Sequence, residues 1–325
     1  MLQERARIIR QVRSFFDDKN YLELDTPLLS PDLIPESCLE VFETRRILPS
    51  GSGEPLWLIP SPEIWMKKII ARHRVNVYQI CKCFRNGESS GFLHSPEFTM
   101  LEYYTMNVNY LDSLKLTEEL FQFLSPARFD SPFERVSVAE AFARYADFDL
   151  FAAAATSGGL EAAAYRLGLN PPEGMGTAEL YDLIFIHSVE PHLKHDRPIA
   201  LLDYPAFVPC LARCCADGKT VERWELYYNG IELANCYTEE TNAQRVREFF
   251  AGETAAKERQ ALVKHRVDQD YWKLFDMAAF PQGAFPHCSG VALGLDRLIM
   301  ALCGRSTIDG VLPFPMKKDC RIKTP

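Results

Sequence analysis

Three side chains spread along this sequence have the chemistry needed to hold a phosphate group. Arg85 follows a run of apolar residues, His94 comes after a loop rich in Gly and Ser, and Arg297 lies near the end of the chain. A guanidinium donates two parallel hydrogen bonds and keeps its charge, so it suits a phosphate. Charged residues at the ends of strands are most often simply solvated, however, and none of the three is specific by itself.

Two acidic side chains are candidates for a divalent cation. Glu225 and Glu232 flank Asn229-Gly230, a dipeptide that favours a type I′ turn between two antiparallel strands. Strands joined in this way pair with each other, so the two carboxylates can lie close together. Because nearby carboxylates repel each other, the pair predicts a neutralising cation such as the magnesium ion of a nucleotide. Without a cation, a buried pair of this kind should be partly protonated or separated.

The elements that position these residues follow from the spacing of apolar residues. An alternating pattern predicts a strand from Val75 to Phe84 and a return strand from His94 to Tyr104, which together form a hairpin. Helical spacing predicts an amphipathic helix over 2–19, and Ala-rich segments predict a helical insertion at about 151–191. Further helices are predicted over 62–72, 111–124, 242–264, 268–279 and 296–303. Further strands are predicted over 21–27, 56–59, 199–203, 222–235 and 289–295.

The composition indicates a globular protein. The 325 residues are 47% hydrophobic and 25% charged, which is close to average. A formal net charge of −8 gives the chain no overall basic surface for binding nucleic acid, although it does not exclude a local basic patch. No apolar run approaches the roughly 20 residues that span a bilayer, and no signal-peptide pattern opens the chain. We therefore expect no membrane association and a cytoplasmic protein. The ten cysteines lack paired C-x2-C spacing and are predicted to be reduced and mostly buried.

Three ordered stretches resemble the signature motifs of class II aminoacyl-tRNA synthetases. Residues 15–27 are similar to motif 1, residues 84–98 to motif 2 and residues 289–298 to motif 3. The run from His94 to Tyr104 resembles the lysyl branch in particular. The resemblance implies an α+β fold with an antiparallel sheet flanked by helices, in a single catalytic domain over 1–325. It also implies a homodimer formed through the first helix and strand.

The resemblance further implies that the protein uses ATP and Mg²⁺ to form an aminoacyl-adenylate. Arg85 and Arg297 would be the catalytic residues, and Glu225 and Glu232 would bind the metal ion. The residues implied in ATP binding are Arg85, Asn86, Gly87, Glu88, His94, Ser95, Phe98, Glu232, Leu233, Gly294 and Arg297. The residues implied in binding the amino acid are Ser61, Pro62, Glu63, Glu102, Tyr104, Asn235, Glu239 and Ala292.

The Ser61-Pro62-Glu63 element has two interpretations. Ser61 suits a helix N-cap, Pro62 suits the first helical position, and Glu63 suits the first turn, where the helix dipole favours a negative charge. A capped helix start would explain all three residues without any ligand. In the lysyl enzymes that the chain resembles, the same element touches the amino group of the substrate.

Two positions depart from the lysyl pattern. Motif 2 usually has an acid two residues after its Arg, whereas here Gly87 stands there and Glu88 follows, so the loop is longer by a residue. Motif 3 of the lysyl enzymes usually reads Gly-x-Gly-x-Gly, but this chain has Ala292 at the central position. The methyl group of Ala292 would crowd the α-amino end of bound lysine and favour an isomer whose amine has moved.

Because the motif 1 helix is predicted over 2–19, we expect no anticodon-binding barrel of the kind that precedes this helix in lysyl-tRNA synthetases, and tRNA is then not the expected acceptor. Residues 227–235 and 288–294 resemble a branch of stand-alone lysyl cores. That branch attaches lysine or (R)-β-lysine to the ε-amine of a lysine on elongation factor P. Two alternatives stay open: a truncated lysyl-tRNA synthetase-like enzyme that serves tRNA or another amine, and a non-catalytic regulatory paralogue. The presence of both arginines and both carboxylates speaks against the paralogue.

Overall fold

The computed structural model describes residues 1–87, 92–129, 132–276 and 284–316. The chain divides into two compact units. The first unit contains residues 1–106, 241–286 and the chain from 292 on, and the second contains residues 107–240 and 287–291. The single catalytic domain over 1–325 stays a prediction.

Helices and strands alternate along the chain. The α-helices are α1 (Leu2–Asp18), α2 (Glu63–His73), α3 (Tyr110–Leu124), α4 (Val138–Tyr145), α5 (Leu150–Ala155), α6 (Gly159–Arg166), α7 (Thr177–Ile184), α8 (Ala243–Gln260) and α9 (Leu295–Leu302). The strands are β1 (Leu22–Glu23), β2 (Leu29–Ser30), β3 (Phe42–Ile47), β4 (Gly53–Leu58), β5 (Val77–Phe84), β6 (Glu97–Met106), β7 (Glu134–Ser137), β8 (Ile199–Pro205), β9 (Thr220–Tyr228), β10 (Ile231–Thr238) and β11 (Cys288–Gly294). Short 3₁₀ segments cover Glu190–His192, Tyr271–Phe275 and Ile308–Gly310, and a π-helical turn covers Phe185–Val189.

In the first unit, β5 lies between β1, which runs parallel to it, and β6, which is antiparallel. The β5–β6 hairpin closes where Phe84 pairs with Glu97. Helix α1 packs against this hairpin through Phe16, whose ring stacks on that of Tyr78 with 4.9 Å between centroids. A smaller sheet has the order β2-β4-β3. The predicted first helix and hairpin are confirmed.

The strand predicted over 21–27 is shorter than expected, because β1 covers only Leu22–Glu23. Beyond it, the hydroxyl of Thr26 donates a hydrogen bond to the side-chain oxygen of Gln79 (3.0 Å). Pro27 has no backbone N–H to offer. A side-chain bond and a proline thus replace the backbone ladder at this end of the strand.

In the second unit, the strand order is β10-β9-β8-β7, with β7 and β8 parallel and the other pairs antiparallel. Asn229 and Gly230 join β9 to β10 with φ angles of 52° and 74°. A type I′ turn requires positive φ at both positions, so the predicted turn is confirmed. Helices α4 to α7 share a core with these strands, in which the rings of Phe142 and Tyr181 stack 5.3 Å apart. The helical structure predicted at about 151–191 is confirmed, whereas its status as an insertion stays a prediction.

Two predicted helices differ from the structure. The segment from Asp268 forms only the 3₁₀ turn Tyr271–Phe275, because the Asp268 carboxylate accepts a hydrogen bond from the N–H of Asp270 (2.9 Å) and holds a turn there. Residues 277–279 of this prediction lie outside the described residues. Helix α8 ends at Gln260, four residues before the predicted end, because Ala261 adopts an extended conformation with ψ of 134°.

Both units combine strands with helices, and most strand pairs are antiparallel, so the predicted α+β class is confirmed. Throughout the part of the chain that the structure describes, no helix is both long and apolar enough to cross a membrane.

Candidate active site

Arg85 is held at the end of β5 by the return strand of the same hairpin. Its backbone N–H donates a hydrogen bond to the carbonyl of Pro96 (3.0 Å). Its guanidinium lies over the ring of Phe98, with 5.3 Å between the guanidinium carbon and the ring centroid. The Nε of Arg85 is buried and has no hydrogen-bond partner among the described residues. A buried N–H without a partner is costly, so this position suits a ligand with anionic oxygens.

Arg297 reaches the same return segment from α9. Its Nε donates to the carbonyl of Leu93 (3.3 Å), and its Nη2 lies 2.8 Å from Nε2 of His94. Because a guanidinium has no acceptor, Nε2 of His94 accepts this bond. Arg85 and Arg297 therefore both contact residues 93–98. Two permanent cations, an imidazole and an aromatic face are brought together there, which is a suitable set for a nucleotide.

A buried ion pair fixes the start of α9. Asp296 is 1% exposed, and one of its carboxylate oxygens lies 2.6 Å from Nη1 of Arg5 on α1. The other oxygen accepts the backbone N–H of Thr99 (2.6 Å), whose hydroxyl in turn accepts from Nη2 of Arg5 (2.8 Å). Thr99 follows Phe98 in the chain, and Asp296 precedes Arg297. The network therefore positions both of these side chains, and neither Arg5 nor Asp296 was predicted to do so.

Glu102 is the centre of a buried hydrogen-bonded group on β6. It is 3% exposed and accepts hydrogen bonds from the hydroxyls of Ser61 (2.6 Å) and Tyr104 (2.7 Å). Loss of hydration and repulsion from Glu63 raise the pKa of Glu102 to about 8. A cationic ligand stabilises the charged form of a carboxyl group whose pKa is raised in this way. Four residues predicted to bind the amino acid are thus neighbours.

Glu63 begins α2 and is paired with Lys67, a 1% exposed residue whose Nζ lies 2.5 Å from the carboxylate. Pro62, not Ser61, occupies the N-cap position, so that part of the sequence prediction is wrong. Pro62 nevertheless has helical angles, with φ of −73° and ψ of −2°, whereas an N-cap residue usually has extended angles. The Ser61 hydroxyl still accepts the backbone N–H of Glu63 (3.0 Å) while donating to Glu102.

In the second unit, a β-bulge places site residues on one face of the β9–β10 hairpin. Glu232 pairs with Tyr227 and Asn235 pairs with Glu225, and Leu233 is the extra residue between them on β10. Residues directly opposite each other share a face, and so do residues two apart on one strand. Glu225, Glu232 and Asn235 therefore face the same side, as a magnesium site would require of the two acids.

Glu225 is paired with a cation of its own strand. Arg223 donates a hydrogen bond to one oxygen of the Glu225 carboxylate, and the Tyr227 hydroxyl donates to the other (2.8 Å). The Arg223 guanidinium lies 4.2 Å from the ring centroid of Tyr204 and 5.5 Å from that of Tyr237. Arg223 was not predicted, although its position two residues before Glu225 signals such a pair.

The donors of the second unit suit a hard cation. A carboxylate has about four lone-pair positions, so Glu225 keeps free positions beside its two hydrogen bonds. Among the described residues, no group of three or more Asp, Glu, His or Cys side chains could hold a metal ion. The two carboxylates of Glu225 and Glu232 fit Mg²⁺, which binds one or two protein carboxylates and completes its shell with water and phosphate oxygens.

Two further residues predicted to bind the amino acid lie on β10 and just after it. The side-chain nitrogen of Asn235 donates to the Tyr237 hydroxyl (3.2 Å), while its side-chain oxygen is buried without a hydrogen-bond partner among the described residues. Glu239 is 2% exposed, and its backbone N–H donates to the carbonyl of Cys288 (3.0 Å). Both residues belong to the second unit.

The predicted nucleotide-binding loop after β5 is only partly described. Asn86 donates its backbone N–H to the carbonyl of Glu40 (2.9 Å) and its side-chain N–H to that of Val41 (3.3 Å). Gly87 has a positive φ of 69°, which glycine adopts without strain. Glu88 lies outside the described residues. Three other predicted residues, Ser95, Ala292 and Gly294, are half-buried in the first unit.

The fold, the two arginines that contact residues 93–98 and the acids of the β9–β10 hairpin define a class of protein. Comparison with known families identifies this class. The family model described as tRNA synthetases class II (D, K and N) matches residues 1–318. The chain belongs to this family, and the resemblance of its three motifs is confirmed.

Individual relatives narrow the comparison. The elongation factor P–(R)-β-lysine ligase of Avibacterium paragallinarum is 36% identical over 318 residues, which cover 97% of this chain and 95% of that protein. The ligase of the same name from Proteus mirabilis is 35% identical over 321 residues, with 97% and 94% covered. The one from Salmonella paratyphi B is 36% identical over 323 residues, with 98% and 95% covered.

Proposed function

We propose that this protein activates (R)-β-lysine, or lysine, with ATP and transfers it to the ε-amino group of a lysine on elongation factor P. The observation that carries the proposal is the similarity to ligases of that name, which extends over at least 97% of the chain. Because 94–95% of each relative is matched as well, the similarity concerns whole proteins and not one shared segment.

The first step forms a mixed anhydride. A carboxylate oxygen of the amino acid attacks the α-phosphorus of ATP, the new O–P bond forms, and the bond to pyrophosphate breaks. Such a step needs charge neutralisation and alignment more than it needs a protein base. Arg85 binds the substrate carboxylate and the α-phosphate, whereas His94 and Arg297 bind the terminal phosphate. Phe98 and Arg297 hold the adenine ring.

The second step uses the acceptor lysine. Its ε-amine attacks the carbonyl carbon of the adenylate, an amide C–N bond forms, and the bond to AMP breaks, with the amine proton passing to water. Because the exchange of oxygen ligands at phosphorus takes place in the first step, charge matching by Arg85 and Arg297 serves that step above all.

Charge also selects the amino acid. The hydrogen-bonded carboxyl groups of Glu63 and Glu102 receive the ammonium groups of the substrate, with the hydroxyls of Ser61 and Tyr104 orienting Glu102.

Mg²⁺, when bound by Glu225 and Glu232, neutralises phosphate charge. The remaining nucleotide-binding residues are Asn86, Gly87, Ser95, Leu233 and Gly294. The remaining residues that bind the amino acid are Pro62, Asn235, Glu239 and Ala292.

The proposal includes a homodimer formed through α1 and β1, in the cytoplasm. Leu2 is 64% exposed and Leu22 is 53% exposed, which supports a partner that covers these apolar side chains. Sedimentation of the purified protein would give the oligomeric state directly.

The decisive experiment offers different acceptors to the purified protein with ATP, Mg²⁺ and (R)-β-lysine. Intact mass of purified elongation factor P should show one added β-lysyl group, and the addition should require ATP. Charging of tRNA in place of elongation factor P would favour the truncated synthetase. Absence of any pyrophosphate exchange, with either lysine isomer, would favour the non-catalytic paralogue.

A further inference from the structure

Arg223 on β9 is held between two aromatic rings of the second unit. Its guanidinium carbon lies 4.2 Å from the ring centroid of Tyr204 and 5.5 Å from that of Tyr237. Tyr204 is 3% exposed and belongs to the core of this unit, and the Arg223 side chain is 13% exposed. A guanidinium that stacks on aromatic faces keeps its planar fork in one orientation. Arg223 is therefore a donor of fixed direction.

This fork holds the carboxylate of Glu225, which is 9% exposed. Nη2 of Arg223 donates a hydrogen bond to Oε1 of Glu225, and the Tyr227 hydroxyl donates to Oε2 (2.8 Å). Tyr227 is itself 2% exposed. Because a different donor binds each oxygen, the carboxylate cannot rotate without losing one of these bonds. The two donors thus fix the direction of the lone pairs that remain on Glu225.

Arg223 also supplies positive charge where two acids meet. Glu225 and Glu232 lie on one face of the β9–β10 hairpin, and two carboxylates on one face repel each other. The ion pair with Arg223 offsets part of this repulsion on the side of Glu225. The acid that is assigned to Mg²⁺ is therefore both oriented and partly neutralised by residues of its own strand.

We infer that Arg223 is a positioning residue for the metal-binding carboxylate of Glu225, and that Tyr227 assists it. The two side chains present the remaining lone pairs of Glu225 to Mg²⁺ without binding the metal ion or the substrates themselves. The inference rests on the proposed function and deepens it, because it names the residues that prepare the metal site.

Removing Arg223 would have two effects of opposite sign on the metal ion. Loss of a positive charge near the site lowers the repulsion that Mg²⁺ meets, which would strengthen its binding. Loss of orientation weakens binding, and the hydrogen-bonding partners of metal-binding side chains commonly contribute about tenfold to 100-fold in metal affinity. A positioning role therefore predicts weaker binding of Mg²⁺, whereas an effect of charge alone predicts stronger binding.

The test measures how strongly Mg²⁺ tightens the binding of a nucleotide, without any catalysis. The probe is the α,β-methylene analogue of ATP, in which a CH₂ group replaces the oxygen whose bond adenylation breaks. Calorimetry gives its dissociation constant with Mg²⁺ and with EDTA, and the ratio of the two constants reports the contribution of the metal ion. Arg223→Met should lower this ratio about tenfold or more, while the constant with EDTA should stay within about twofold.

Three further variants make the test specific. Arg223→Lys keeps the charge but not the planar fork, so its ratio should fall between those of the wild type and Arg223→Met. Tyr227→Phe removes only the second donor and should lower the ratio by a smaller factor. These two variants carry the test if circular dichroism shows that Arg223→Met does not fold. Arg213→Met is the matched control, since it breaks a 2.7 Å ion pair with Glu222 on the same strand and should leave the ratio unchanged.

Several outcomes would overturn the inference while the proposed function stands. One is a wild-type or an increased ratio in the variants of Arg223 and Tyr227. Another is equal weakening with Mg²⁺ and with EDTA, because the defect would then not concern the metal ion. A wild-type protein whose affinity for the analogue does not depend on Mg²⁺ would also contradict it. A wild-type protein that catalyses no pyrophosphate exchange would overturn the proposed function itself.

Discussion

Nη2 of Arg297 lies 2.8 Å from Nε2 of His94, and the imidazole accepts a hydrogen bond from a permanent cation. Arg297 follows Asp296 at the start of α9, whereas His94 belongs to the return segment of the β5–β6 hairpin. The contact ties the third sequence motif to the second. It also predicts that the two side chains work as a pair on the phosphate of a nucleotide.

Replacing Arg297 with Met should therefore weaken ATP binding about tenfold or more, because a charge-assisted bond to phosphate is lost. Steady-state kinetics should show the change in KM for ATP, with KM for the amino acid nearly unaltered. His94→Ala should have an effect of the same kind, and the double variant should be little worse than Arg297→Met alone. Additive losses would show that the two side chains act separately.

Arg85→Ala should reduce the rate of adenylate formation about 100-fold or more, since a preorganised donor to developing negative charge is removed. Arg85→Lys should recover part of the rate, because it restores the charge but not the two-pronged geometry. Pyrophosphate exchange measures both, and circular dichroism should show an unchanged fold. Wild-type exchange by the alanine variant would contradict the role given to Arg85.

The ion pair between Arg5 and Asp296 predicts a large effect on stability. Arg5→Met leaves a buried carboxylate without its cation and should lower the free energy of unfolding by about 3–5 kcal/mol. Arg7→Met on the same helix breaks an ion pair with Glu4 that is about half exposed, and it should cost about 0.2–1 kcal/mol. Denaturant unfolding of both variants checks the prediction. Equal losses in the free energy of unfolding would refute it.

The raised pKa of Glu102 predicts a pH-dependent stability for the ligand-free protein. The pKa is about 8 in the folded state and 4.5 ordinarily, so the folded state binds more protons between these values. The contribution of Glu102 to the free energy of unfolding is therefore fully present below pH 4.5, and it is lost as the pH rises through 8. The groups that face Glu102 are the acid Glu63, the cation Lys67 and the two hydroxyls described above.

Glu102→Gln should flatten this dependence by up to about 1.4 kcal/mol per pH unit between pH 6 and 8. Urea unfolding at a series of pH values gives the slope directly. Glu36, with a pKa of about 7, adds to the wild-type slope, so some dependence should remain in the variant. A variant with the full wild-type slope would mean that Glu102 does not titrate in this range.

Ala292→Gly tests the steric contribution to substrate choice. Removing the methyl group should shift the preference from β-lysine toward α-lysine by about tenfold, the discrimination that one carbon commonly gives. Exchange rates with the two isomers measure the ratio. An unchanged ratio in Ala292→Gly would remove the steric explanation.

Much of the fold could be predicted from local patterns. Alternating apolar residues and a polar loop predicted the β5–β6 hairpin, and Asn229-Gly230 predicted the turn between β9 and β10. The helical structure of the segment at about 151–191 followed from its Ala-rich composition. Patterns of this kind depend on the preferences of residues near each other in the chain, so a sequence alone determines them. The family also followed from short ordered motifs.

Only the tertiary structure decided which side chains meet. The bulge at Leu233 turns Glu232 and Asn235 to one face, although three positions on a regular strand would place them on opposite faces. The Arg5–Asp296 ion pair joins residues from the two ends of the chain, and the loop of Glu36 is placed by anchors on α8. Such contacts depend on how distant elements pack, which no pattern of neighbouring residues encodes. The residue types of the candidate site could therefore be predicted from the sequence, whereas the charged neighbours of each acid were decided by the packing.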